Sequence, residues 1–198
     1  DVFVMVRPRG GDFCYSSDEF YAMKRDIDEC KKLSVDGVVL GIVTSDGEID
    51  KKRGKELIDR ARPLKVTCHR AVDMSRDAFQ ALEDCIEVGF DSILTSGRKL
   101  KAVDGADLIA ELIKKSNGRI AIMPGSGVNE DTIEKIVSVT KTKEIHFSAT
   151  TFRESEMKYR NEDISGMGDE AGSEFKLRTV DVERLKKMRM LAERNEEK

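Results

Sequence analysis

His69 and His146 are the only two imidazoles in the chain, and each closes a short apolar run beside polar partners. Val66-Thr67-Cys68 leads into His69-Arg70, with Asp73 three residues on, and Ile145-His146-Phe147 leads into Ser148. A third run, Val4-Met5-Val6, ends in Arg7-Pro8-Arg9-Gly10-Gly11-Asp12. An imidazole exchanges its proton near neutral pH, and a guanidinium grips an oxyanion with a rigid fork of donors. His69, His146 and Asp73 are therefore candidate catalytic groups. Arg7, Arg9, Asp12, Arg70, Ser96 and Ser148 are candidate ligand-binding groups. Together they suit a small phosphorylated or carboxylated molecule, with an arginine clamp on the anion and a histidine as general acid/base. The blander alternative makes the arginines and acids salt bridges at a rim and each histidine a hydrogen-bonded core residue.

Gly125 and Gly127 stand in Pro124-Gly125-Ser126-Gly127-Val128-Asn129, where an apolar run meets a helix-like stretch. Backbone N–H groups there could cradle a phosphate, or the glycines could serve only a tight turn capped by Asn129. Schiff-base chemistry is disfavoured: Lys65 begins its run, and Lys99 and Lys101 lie in a loop.

These residues share one arrangement. Six apolar runs, at Val4, Val38 to Ile42, Val66, Ser92 to Leu94, Ile120 to Met123 and Ile145, each end in polar or glycine residues before an amphipathic stretch. Chemistry collected at the carboxyl end of every strand is the pattern of a β/α barrel. Helices are expected over 16–33, 50–61, 77–88, 106–115 and 129–139. Residues 150–179 read as a loop, and Val182, Leu185, Met188 and Leu191 mark a last amphipathic helix. The expectation is one α/β domain over 1–198, with six parallel strands in βα units over 1–149 and a loop and helix over 150–198. A closed barrel takes eight strands, so two N-terminal units are expected to be absent, or the edges covered by a second copy in a homo-oligomer, or the sheet left open.

Composition narrows the partners. In 198 residues, 35 Lys+Arg against 38 Asp+Glu give a formal charge of −3, and the charges interleave instead of forming a basic stripe, which argues against nucleic acid. Apolar runs fall far short of a membrane span, so a soluble cytoplasmic protein without a membrane partner is expected. Four cysteines, without C-x-x-C spacing, are expected to be reduced.

Five segments resemble the CutC copper homeostasis family: Arg7 to Ser16, Val66 to Met74, Leu94 to Gly97, Met123 to Val128 and Met157 to Asn161. The resemblance implies a β/α barrel in which the present strands are the third to eighth, and a role in copper homeostasis through binding or trafficking Cu(I). Cys68 and Val72 stand where the family usually carries phenylalanines, and the family's proposed copper cysteines lie on two strands this chain does not contain. Cu(I) prefers thiolate and thioether ligands. Cys30 and Cys85 occupy apolar helical positions and read as core. Cys14 and Cys68, nearer the mouth, are the candidate metal pair beside His69.

Overall fold

The computed structural model describes residues 1–161, 163–164 and 173–193. Five short strands, β1 Phe3–Met5, β2 Gly37–Leu40, β3 Lys65–Cys68, β4 Ser92–Thr95 and β5 Ala121–Pro124, lie side by side in chain order and all parallel. Parallel neighbours need crossovers, and helices α1 Ser17–Lys32, α2 Lys51–Ala61, α3 Ala78–Val88 and α4 Ala106–Ser116 supply them. Helix α5, Ile133–Thr140, follows β5.

Strand alternation decides which face each residue meets. The register aligns Val4, Val38 and Val66 in one row and Leu40, Cys68, Ile93 and Ile122 in the next. These side chains share one core with Met23, Ile27, Leu57, Ile58, Leu82 and Ile109 from the helices. The opposite face carries Met5, Val39, Thr67, Ser92 and Ala121 in register. It lines an open cavity of about 710 Å³, to which Phe3, Leu94, Met123 and His146 also contribute.

Helix ends follow the sequence. Ser16 and Glu19 exchange side-chain to backbone bonds in a capping box that starts α1. Asp77 starts α3, its carboxylate accepting from the N–H groups of Phe79 and Gln80, both at 2.8 Å, and Gly89 ends that helix in the left-handed region. An Asp77→Ala variant should lose about 1 kcal/mol of stability in urea unfolding, the usual worth of an N-cap carboxylate. An unchanged midpoint would show that packing alone holds α3.

Three expectations need correction. Among the described residues the parallel sheet has five strands, not six. His146 N–H donates to the Pro124 carbonyl at 2.9 Å, but the segment 145–147 forms no ladder with β5 and is not a strand. Helix α5 begins at Ile133 instead of Asn129, because the Asn129 side chain accepts from Asp131 N–H and meets the Thr132 hydroxyl, a local turn that competes with the helix. The stretch read as a loop from Thr150 holds an antiparallel pair, β6 Thr150–Glu154 with β7 Lys176–Val180, whose β-branched and aromatic residues outweigh the surrounding charge. The glycines that suggested a loop, Gly166, Gly168 and Gly172, lie outside the described residues. Helix α6, Val182–Glu193, forms as read, and of its stripe Met188 is buried. Among the described residues no helix is long and apolar enough to cross a membrane.

Candidate functional site

The carboxyl ends of β1, β3, β4 and β5 carry three groups, and each has its own logic. The first is a strap, residues 7–15, folded across the end of β3. Arg9 fastens it: its guanidinium donates to Glu19 at 2.6 Å, to the Asp12 carboxylate at 2.9 Å and to the Cys14 carbonyl at 3.0 Å. Asp12 is held below the usual carboxylate range, first by Arg9 and then by Cys14 N–H. Glu19 is lowered by the backbone of Ser16 and then by Arg9. Arg9 and Asp12 are thus spent on closing the strap. They are not a free clamp for an anion.

Under the strap lies His69, only 3% exposed. The Phe13 ring packs on its imidazole with centroids 4.8 Å apart, and the Arg7 guanidinium sits 4.6 Å from the Phe13 centroid. His69 Nδ1 accepts from the Ala71 N–H at 3.2 Å, so the neutral ring carries its proton on Nε2. Burial above all, with the Arg7 charge acting the same way, pushes its pKa down to about 4. At neutral pH His69 is an uncharged donor, with its basic nitrogen already occupied, which favours hydrogen-bond donation over general-base work. Gly41, just past β2, makes room for it. A Cβ there would lie 2.7 Å from Nδ1, closer than side chains tolerate.

The second group is a lock centred on Asp73, whose side chain is 5% exposed. Its carboxylate accepts from Arg70 Nε at 2.8 Å, Thr95 Oγ1 at 2.5 Å, Ser96 N–H at 3.0 Å and Arg98 N–H at 3.1 Å. Arg70 also donates to Ser96 Oγ at 2.8 Å. The residues expected at the mouth do meet here, but they saturate one another and tie the end of β4 to the turn after β3.

The third group is the glycine loop. A Cβ on Gly125 would strike Leu94 and His146, and one on Gly127 would strike Lys101. Ser126 accepts from Ala102 N–H through its carbonyl and donates its hydroxyl to the Leu100 carbonyl. The loop's close approaches clasp the segment after β4, and α5 starts six residues beyond Gly127, so these glycines do not form its positive end. His146 and Ser148 alternate with Ile145 and Phe147 as the spacing requires, but both are exposed, because the face they share is the open one.

The candidate metal pair separates. Cys14 is exposed on the strap, whereas Cys68 is buried on the helix-facing side of β3. There its thiol meets that of Cys85 in α3, and this neighbour together with burial pushes the Cys85 thiol well up. Strand alternation could have shown this, since Cys68 shares its face with Val66 and not with Thr67 or His69. Phe13, Tyr15 and Gly41 were also missed. The signals were present: two aromatic residues in a segment otherwise made for turns, and a glycine at a strand end.

The molecule is an α/β protein whose parallel sheet gathers its polar residues at the carboxyl ends of the strands. The chain belongs to the CutC family, whose model matches residues 1–151. A family protein CutC from Parabacteroides distasonis is 50% identical over 186 residues, covering 94% of this chain and 76% of the relative. A human relative named copper homeostasis protein cutC homolog is 42% identical over 191 residues, covering 96% and 70%. The crystal structure of a CutC protein from Streptococcus agalactiae superposes with a TM-score of 0.70 at 32% identity, covering 73% of this chain and 70% of that one. A mandelate oxidase structure shares the fold alone, with a TM-score of 0.51 at 8% identity over 73% of this chain and 47% of its own.

Proposed function

We propose that this chain acts in copper homeostasis, in the cytoplasm, by binding Cu(I). Kinship over most of the chain supports the role, since the mouse and human relatives carry it in their names. The strand-end chemistry and the CutC neighbour support a β/α barrel as the finer description of the fold. Exposed Phe3 and Met5 on β1, at the edge of the sheet, support self-association.

The observation that carries Cu(I) binding is the pair of buried thiols, Cys68 and Cys85. Two soft sulfur ligands suit Cu(I), and among the described residues no three His, Cys, Asp or Glu side chains gather as a larger metal site would need. The ion replaces both thiol protons, forming two Cu–S bonds and releasing two protons to solvent. Because Cys85 holds its proton tightly, apparent affinity should climb with pH, by about tenfold per unit for the Cys85 proton displaced.

An anaerobic Cu(I) titration against a competing chelator, run at two pH values, tests this. Cys68→Ser and Cys85→Ser should each weaken binding by at least tenfold, and Cys14→Ser should not. Absence of binding, or loss confined to Cys14→Ser, would remove the buried pair as a copper site.

A further inference from the structure

The hydrogen-bond network under the strap is incomplete in one place. Buried polar atoms nearly always find partners, and each failure costs about 1–3 kcal/mol. Among the described residues four buried side-chain atoms have none, and three of them belong to this corner: Arg7 Nε, Tyr15 Oη and His69 Nε2. Tyr15 and His69 are each 3% exposed.

The three are neighbours. Arg7 packs on Phe13, Phe13 packs on His69, and the Arg7 charge acts on both Tyr15 and His69. Arg7 spends Nη2 on the Gly11 carbonyl at 2.7 Å, and among the described residues it forms no ion pair. Arg9, by contrast, lies against the Tyr15 ring with its charge met by two carboxylates.

All three orphans are donors. Arg7 Nε–H is a donor, His69 Nε2–H is fixed as one by the bond at Nδ1, and the Tyr15 phenol, kept protonated by its burial, turns its oxygen to the Arg7 guanidinium and keeps its O–H to donate. Three donors and one uncompensated positive charge call for a group that only accepts and carries a single negative charge. We infer that Arg7, Tyr15 and His69 form a binding site for a small monoanionic oxyanion of the carboxylate class, separate from the thiol pair. Arg7 supplies the charge, Tyr15 and His69 fix the orientation, and Phe13 forms an apolar wall. A phosphate dianion, with one cation to meet it, fits less well.

Acetate and inorganic phosphate are the probes, added to the full chain and followed by thermal stabilisation and by the ¹⁵N-detected Nε2–H resonance of His69. Acetate should stabilise the protein saturably and shift that resonance, and phosphate should bind at least tenfold more weakly. Tyr15→Phe, which removes one oxygen and leaves the packing, should weaken acetate at least tenfold. His69→Phe should do the same, and Lys55→Ala, on the exposed side of α2, should bind acetate as the parent does. If acetate neither saturates nor shifts the His69 resonance, or if Tyr15→Phe binds as the parent does, the site is a dry or water-filled corner and the inference fails. Neither result bears on Cu(I), which is read with separate variants.

Discussion

An Asp73→Ala variant should lose about 3 kcal/mol or more of unfolding free energy in urea denaturation, a larger effect than that of any cap or surface pair. Its carboxylate lies in the turn after β3 and gathers donors from two segments: Arg70 on its own side, and Thr95, Ser96 and Arg98 at the end of β4. Thr95 and Ser96 are themselves buried, so deleting the acceptor strands their donors where water cannot replace it. Arg70 is 39% exposed along its side chain and can rehydrate, which keeps the loss below that of a fully buried ion pair. Asp73→Asn keeps the shape but puts an N–H₂ where an acceptor is needed, and should fall between the parent and the alanine variant. The damage should also spread. Ser96 and Gly97 lie against Gly105 so closely that a Cβ there would overlap the Ser96 carbonyl, so loosening the lock frees the start of α4. A loss under about 1 kcal/mol would mean that this network is redundant with the packing beneath it.

The second large effect is a pH dependence centred on His69. Its pKa is about 4 in the folded protein against the ordinary 6.5 when unfolded. Between those values the unfolded chain takes up a proton that the folded chain refuses. Stability is therefore full above pH 6.5 and falls as the pH drops towards 4, by about 3 kcal/mol over the window. Carboxylates held low by their partners, such as Asp28 beside Arg60 and Glu83 beside Arg119, lose their contributions only lower in pH. Comparison with His69→Gln isolates the histidine: the variant should lack the slope between pH 6.5 and 4 while keeping the decline below it. Equal slopes in both proteins would place the acid sensitivity elsewhere.

The sequence was legible where one local rule decided the outcome. Asp77 and Gly89 bracket α3, and Asp50 opens α2. It was misleading where two rules competed. Asn129 is a good cap, but its side chain closed a turn first, and Ile145-His146-Phe147 alternates like a strand without gaining a ladder. At the mouth, residue types name the groups that gather at the strand ends but not how they pair. Arg7 and Arg9 look alike in sequence, and only the positions of Asp12 and Glu19 show that Arg9 is consumed while Arg7 is not. Burial explains the remainder. Neither the neutral state of His69 nor the buried phenol of Tyr15 beside Arg7 is written in any spacing, because both follow from what covers them.

The strap closed by Arg9 also sets a clock. With Arg7 Nε and Tyr15 Oη on its buried side and His69 Nε2 beneath it, an incoming anion meets them only after the contacts to Asp12, Cys14 and Glu19 let go. Association should then be gated: the observed rate climbs with ligand concentration and levels off at the opening rate of the strap. Because ion pairs hold the latch, added salt should raise that plateau even as it weakens the final grip of Arg7 on its ligand.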